Sequence, residues 1–203
     1  MVWFINKNKF YIFIHIPKCA GTSIEKATNT IDKEENGYGI IDGDTHKSYQ
    51  HYLWSDYVSH LGKEKFESAF KFSLCRNPYT RIVSVYHFYS KFSKMKFSDF
   101  LEYIKNYLNN SNQNTIGNTI ENEHLIPQYR FLFDHNDKLK INKLFKFEQF
   151  NEIETFFKNE LGINKIEKIF VSPAKQKHIL TQQERDIIYN LYEKDFLLLG
   201  YSR

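Results

Sequence analysis

Two patterns of apolar and polar positions run along the chain. Near-continuous apolar segments are typical of strands buried on both faces of a sheet, and they occur at 10–16, 71–76 and 143–147. Shorter segments at 3–5 and 169–171 predict further strands. Apolar residues at helical spacing predict helices over 52–70, 81–92, 97–108, 148–161 and 181–198. Strands that alternate with helices predict an α/β fold with three layers, a parallel sheet between helices, in a single domain over 1–203.

Local signals set several boundaries of these elements. Gly62 interrupts the helical pattern of 52–70, and Gly162 ends that of 148–161. Thr181 and Glu184 form a capping box at the start of the last helix. Polar stretches at 32–44 and 111–122 predict loops, and 124–133 is predicted to be a short extended segment.

The first buried strand leads directly into a candidate anion site. Pro17 ends the strand, and Lys18-Cys19-Ala20-Gly21-Thr22-Ser23 precede a short helix. Backbone N–H groups, the positive helix end, two hydroxyls and a lysine then converge on one turn. The lysine precedes the glycine, unlike in G-x-x-x-x-G-K-[ST], so this is not an ATP-binding P-loop. The alternative is a turn whose glycine and hydroxyls only cap the helix.

A second candidate phosphate site follows the next strand. Arg76-Asn77-Pro78 ends that strand, and Arg81 and Ser84 lie on the helix after it. Arginine holds phosphate through a planar pair of N–H donors, and serine adds a short neutral hydrogen bond. For Arg81 the stronger alternative is a salt bridge that holds a neighbouring loop or helix.

These two motifs resemble those of sulfotransferases that use 3′-phosphoadenosine-5′-phosphosulfate (PAPS). Residues 17–23 resemble the loop that binds the 5′-phosphosulfate, and 76–86 resemble the motif that binds the 3′-phosphate. The resemblance implies that Arg76 and Ser84 bind the 3′-phosphate. It implies that the other end of PAPS is bound by Pro17, Lys18, Cys19, Ala20, Gly21, Thr22 and Ser23. Cys19-Ala20 replaces a Thr-Gly or Thr-Ala pair, so one side-chain donor is missing.

Later segments resemble the carbohydrate-type branch, sulfotransferase family 2. They are His124–Gln128 (H-x-x-P-Q), Phe147-Glu148, and the ending from Tyr192 to Tyr201. The resemblance implies a P-loop-like sulfotransferase fold. It also implies transfer of a sulfuryl group from PAPS to a hydroxyl of a saccharide or glycoconjugate by in-line displacement. No metal is expected, because Lys18 can stabilise the charge on the leaving phosphate and the sulfuryl oxygens, and the scattered histidines and two cysteines form no ligand cluster.

An alcohol acceptor requires a general base, and histidine is suited to that role near neutral pH. His46 is the predicted base because family members carry a histidine in a comparable H-x-[ST] setting, and His51 is the alternative. His124 is a candidate for substrate binding or an alternative base. His15 is expected to be a packed residue at the strand end, and Glu148 either binds a glycan hydroxyl or stabilises a helix start.

Composition narrows the class of partner. The formal net charge is only +4, which fits anionic small ligands or acidic glycans but not a nucleic-acid binder. Two cysteines, no signal-peptide pattern and no transmembrane segment predict a cytoplasmic protein with reduced thiols. The alternatives in function are a P-loop-type nucleotide kinase and a non-catalytic protein that binds nucleotides or glycans.

Overall fold

A mixed four-stranded sheet forms the centre of the computed structural model, which describes residues 1–30, 49–110, 120–167, 169 and 178–203. The described strands lie in the order β1 (Val2–Asn6), β2 (Lys9–Ile14), β3 (Phe70–Cys75) and β4 (Lys143–Lys146). β2, β3 and β4 are parallel, whereas β1 is antiparallel to β2. The prediction of a wholly parallel sheet is therefore wrong at this edge, because a two-residue turn at Lys7-Asn8 joins only antiparallel neighbours.

Helices flank the sheet. Those before β4 are α1 (Gly21–Ala27), α2 (Trp54–Leu61), α3 (Lys63–Ser68), α4 (Pro78–Phe88), α5 (Ser90–Ser93), α6 (Phe97–Asn110), α7 (Ile120–Glu123) and α8 (Tyr129–Leu132). Those after it are α9 (Phe150–Phe156), which continues as a π-helical turn over Phe157–Leu161, then α10 (Gln182–Leu191) and α11 (Glu193–Leu199). The predicted break at Gly62, the helix end at Gly162 and the capping box of Thr181 and Glu184 are confirmed.

Four predicted elements differ from the structure within the described residues. The predicted helix over 81–92 is interrupted at Tyr89, whose backbone is extended, and the last helix is interrupted at Tyr192. Residues 124–133 are not extended: a turn leads into α8, because the Asp195 carboxylate accepts hydrogen bonds from the Gln128 and Tyr129 N–H groups at the start of α8. The predicted loop 111–122 is wrong at its end, because α7 begins at Ile120; its first nine residues lie outside the described part of the chain. The predicted strand 169–171 and the predicted loop 32–44 lie mostly and wholly outside it.

The topology determines where a site can form. The three parallel strands end at one edge of the sheet, so the segments that follow them lie close together. These segments are 15–20 after β2, Arg76-Asn77 after β3, and Phe147-Glu148 after β4. The sequence motifs described above therefore meet at the carboxyl edge of the sheet.

Candidate active site

The backbone after β2 has the geometry of an anion-binding turn. Lys18 and Ala20 both have φ of 66°, and Ala20 directly precedes α1. Residues that alternate between left- and right-handed conformations turn successive N–H groups toward one side, which creates a concave anion site. Within the described part of the chain, the N–H groups of residues 18–22 have no hydrogen-bond partner. This turn, residues 17–22, is called the anion loop below.

Several side chains of this region point into the protein. The Cys19 thiol is buried and contacts the Pro17 carbonyl at 3.6 Å and Gln128 Oε1 at 3.4 Å. Burial raises the pKa of this thiol to about 12, so it remains protonated. Ser23 Oγ accepts a hydrogen bond from the Ile169 N–H at 3.0 Å, and its hydroxyl hydrogen remains available as a donor. The Lys18 ammonium and the backbone are thus the main groups left for a ligand.

Gly21 is required by a packing contact that the sequence does not reveal. A Cβ atom at this position would overlap the imidazole of His15. This buried ring is fixed by a 2.6 Å contact from Nδ1 to the Glu25 carboxylate, which also accepts a hydrogen bond from Gln50 Nε2 at 2.6 Å. His15 is therefore the packed, hydrogen-bonded residue that was predicted, and it sets the shape of the anion loop.

Arg76 brings the second motif against the anion loop. Its Nη1 donates to the Lys18 carbonyl at 3.2 Å, its Nε donates to Thr80 Oγ1 at 3.1 Å, and its guanidinium lies 4.4 Å from the centre of the Phe147 ring. Burial, and then the neighbouring charge of Arg76, lower the pKa of Lys18 to about 8. Among the described residues, neither cation forms an ion pair with a carboxylate.

Helix α4 carries the residue predicted to complete the second site. Asn77 caps this helix by accepting from the Tyr79 N–H at 3.0 Å. Thr80, Ser84 and Phe88 lie about one turn apart on one face. The Lys18 ammonium lies 3.4 Å from the centre of the Phe88 ring, and Arg76 contacts Thr80, so half-buried Ser84 lies on the face between these two contacts.

Arg81 has a structural role, as the alternative interpretation predicted, although its partners are carbonyls rather than a carboxylate. The residue is fully buried. Its Nε donates to the Pro17 carbonyl at 3.1 Å, and its Nη2 donates to the carbonyls of His124 and Ile126, each at 2.9 Å. Arg81 therefore fastens the start of the anion loop to the segment 124–126.

Gln128 connects the two motifs. Its Oε1 accepts from the Arg76 N–H at 2.9 Å and from the Cys19 thiol, while its Nε2 donates to the Arg76 carbonyl at 2.8 Å. Its own N–H donates to Asp195 at 2.9 Å, and the Tyr129 N–H donates to the same carboxylate at 2.8 Å. The Pro-Gln segment is thus a structural bridge between the anion loop, the Arg76 turn and α11.

The remaining matched residues also support the Arg76 turn. The Asn77 N–H and the Tyr201 hydroxyl donate to the two oxygens of the Glu148 carboxylate, at 2.8 and 2.9 Å. The Lys146 ammonium donates to the Gly200 carbonyl at 2.7 Å. Glu148 therefore holds the turn between β3 and α4 in place.

The candidate bases occupy different environments. His46 lies outside the described residues. His51 is buried, its Nδ1 is 3.0 Å from the Glu123 carboxylate, and its ring lies 4.9 Å from those of both His15 and His124. Burial, then the neighbouring His124 and His15, lower the pKa of His51 well below its ordinary value. The sequence contained each of these three histidines but no local signal that they form one row.

His124 connects this row to the mouth of the anion loop. Its Nδ1 is 2.9 Å from the Tyr89 hydroxyl, and its ring is stacked on that of Phe88 with 5.8 Å between centres. The structure thus brings Lys18, Arg76, Ser84 and His124 to one edge of the sheet, with His51 behind His124.

These features define an α/β domain with a candidate anion site, in two parts, at the carboxyl ends of its parallel strands. The chain belongs to the sulfotransferase family, because the model of that family matches residues 2–202 and so confirms the resemblance to family 2. Neither the curated proteins nor the solved structures contain a significant match. Among the described helices, none combines the length and apolar character needed to cross a bilayer.

Proposed function

We propose that the protein transfers a sulfuryl group from PAPS to a hydroxyl of a saccharide or glycoconjugate. The observation that carries this proposal is the 3.2 Å hydrogen bond from Arg76 Nη1 to the Lys18 carbonyl. It joins the two phosphate motifs into one continuous site, as a ligand with phosphate at both ends of one nucleoside requires. Membership of the sulfotransferase family supports the reaction class.

The charges of the site fit such a ligand. Lys18 and Arg76 lie side by side, and burial is the largest cause of the lowered pKa of each. Two neighbouring cations without carboxylate partners among the described residues favour a bound anion, because it relieves both repulsion and desolvation. The unpaired N–H groups of the anion loop add neutral donors for the same anion.

The reaction requires displacement at sulfur with the acceptor oxygen in line with the leaving phosphate oxygen. In this proposal the N–H groups of the anion loop hold the 5′-phosphate. Lys18 stabilises negative charge on the leaving oxygen and on the sulfuryl group. Arg76 and Ser84 bind the 3′-phosphate and so fix the direction of the donor.

His46 remains the predicted general base. The alternative, His51, is held by Glu123, and a neutral ring that bonds a carboxylate through Nδ1 keeps its lone pair on Nε2. His124 and Lys18 both contact the Phe88 ring. His124 is therefore the further alternative for the base, or a group that contacts the acceptor. The proposal includes a cytoplasmic location, which the low number of cysteines favours.

Labelled donor and calorimetry test this function. The protein is incubated with ³⁵S-labelled PAPS and a panel of glycans, and binding of adenosine 3′,5′-bisphosphate is measured separately. Label on a glycan and tight binding of the bisphosphate support the proposal. Binding without transfer to any glycan favours a non-catalytic protein, and phosphate transfer from ATP with Mg²⁺ favours a kinase.

Matched variants test the roles proposed for the two cations, Lys18 and Arg76. Lys18→Met is expected to abolish transfer, whereas Lys94→Met, which removes an exposed lysine at the end of α5, leaves it unchanged. Arg76→Lys keeps the charge but loses the planar pair of donors, so a weaker affinity for the bisphosphate is expected. Equal activity of the Lys18 and Lys94 variants would contradict the assigned role of Lys18.

A further inference from the structure

The ring of Phe88 has an unusual place for a large apolar side chain. Phe88 is the last residue of α4 and is 51% exposed, although it lies at the site rather than in the core. The ring is stacked on His124 and meets the edge of Tyr89 at 4.9 Å, and the Tyr89 hydroxyl contacts His124 in turn. The ring is thus supported by two neighbours while half of its surface remains open.

The Lys18 ammonium lies against this ring. Its Nζ is 3.4 Å from the ring centre, well within the distance at which an aromatic face attracts a cation. The lysine side chain has four rotatable bonds, and an interaction that selects one arrangement reduces the entropy lost when a ligand binds. Phe88 therefore fixes an ammonium that would otherwise sample many positions near the anion loop.

An aromatic ring and a carboxylate bind a cation in different ways. A carboxylate at this position would neutralise Lys18 and compete with an incoming phosphate. The ring attracts the ammonium but carries no net charge, so the full positive charge remains available. Among the described residues, the other titratable groups nearby include the Arg76 guanidinium, the Cys19 thiol, the Tyr89 hydroxyl and, behind the ring, His124.

We propose that Phe88 is a positioning residue that holds the Lys18 ammonium at the mouth of the anion loop without neutralising it. This inference rests on the proposed role of Lys18 in sulfuryl transfer. In this inference Phe88 contributes to the reaction by placing Lys18, and not by packing in the hydrophobic core.

The test measures Lys18 directly in the free protein. The pKa of its amine is followed by NMR of ¹³C-labelled lysine, with the signal assigned from its loss in Lys18→Arg. Removal of the ring in Phe88→Leu is expected to lower this pKa by about 0.5 unit, because attraction to the ring favours the charged form. Phe88→Tyr keeps a ring and is expected to keep the pKa.

A control and a second measurement separate the possible outcomes. Phe10→Leu removes another ring that contacts a lysine, Lys65 at 5.1 Å, and is expected to leave Lys18 unchanged. Below pH 8, Phe88→Leu is expected to weaken binding of adenosine 3′,5′-bisphosphate about threefold, and Phe88→Tyr to restore it. Equal Lys18 pKa values in the Leu and Tyr variants would overturn the inference. If the wild type does not bind the bisphosphate, the proposed function fails, while the pKa series still decides the role of Phe88.

Discussion

The bridge made by Gln128 leads to the most direct prediction, because one buried side chain connects both phosphate motifs. Gln128→Ala removes the acceptor of the Arg76 N–H and the donor to the Arg76 carbonyl, at 2.9 and 2.8 Å, together with the weaker contact to Cys19. Gln128 is fully buried, so the vacated space does not supply bulk water to replace these partners.

The expected loss of stability follows from those contacts. A buried polar group left without a partner costs about 1–3 kcal/mol, and the substitution strands one N–H and one carbonyl of Arg76. Since both groups are only partly buried, we expect the free energy of unfolding to fall by about 2–4 kcal/mol. Gln149→Ala alters an exposed glutamine next to Glu148 and is expected to change it by less than about 0.5 kcal/mol.

Gln128→Glu tests the direction of the hydrogen bonds. The introduced carboxylate keeps the acceptor for the Arg76 N–H, loses the donor to the Arg76 carbonyl, and approaches the Asp195 carboxylate, which is 3.4 Å from Nε2 of the glutamine. Burial and this like charge raise its pKa in the folded state. The free energy of unfolding of Gln128→Glu, relative to the wild type, is therefore retained at low pH and falls as the pH rises through that raised pKa.

Urea denaturation followed by circular dichroism measures all three variants, and calorimetry with adenosine 3′,5′-bisphosphate measures the coupling of the motifs. Gln128→Ala should weaken binding at least tenfold in protein that remains folded, because Arg76 and the anion loop lose their common support. The reasoning is refuted if this variant is no less stable than Gln149→Ala, or if a clearly destabilised but folded variant binds with unchanged affinity.

Three further changes have expected outcomes. Burial and Arg76 lower the pKa of Lys18 to about 8, so the affinity for the bisphosphate should fall above pH 8, and binding there should take up a proton. Calorimetry in buffers of different ionisation enthalpy detects that proton, and Lys18→Arg should remove the fall in affinity. Gly21→Ala should weaken bisphosphate binding strongly, and the double variant with His15→Ala should recover part of it, because the overlap is with the His15 ring; no recovery would contradict that cause. If His51 were the base, the acid limb of the pH–kcat profile would lie well below 6.5, since a lowered pKa keeps the ring neutral there; a limb near 6.5 that is lost in His46→Ala would assign the base to His46.

Local patterns were sufficient for the elements that create the site's edge. Continuous apolar runs gave the three parallel strands, and Pro17 and Asn77-Pro78 marked where two of them end. The order of residues in the anion loop predicts a phosphate ligand, which stays a prediction, and the structure adds the left-handed backbone at Lys18 and Ala20. These features depend on neighbours in sequence, so a single chain contains enough information to predict them.

Features that depend on distant partners were not predictable in this way. The turn and helix at 124–132 form because the Asp195 carboxylate, more than sixty residues later, accepts from the Gln128 and Tyr129 N–H groups. Gly21 is required by the His15 ring, which is close in sequence but is brought back against the loop by Glu25. In both cases the local sequence is compatible with other conformations, and a tertiary contact selects one of them.

The polar residues matched to the family divide into two groups with opposite electrostatic consequences. Arg81, Gln128, Glu148 and Asp195 form hydrogen bonds mainly to backbone N–H and carbonyl groups of the protein. Because Glu148 and Asp195 are committed to backbone groups, they do not pair with Lys18 or Arg76, which remain adjacent and only partly solvated. Such a pair of cations costs stability in the free protein, and a bound anion recovers it. These contacts therefore leave both cations available to a bound anion, as the proposed roles of Lys18 at the sulfuryl group and of Arg76 at the 3′-phosphate require.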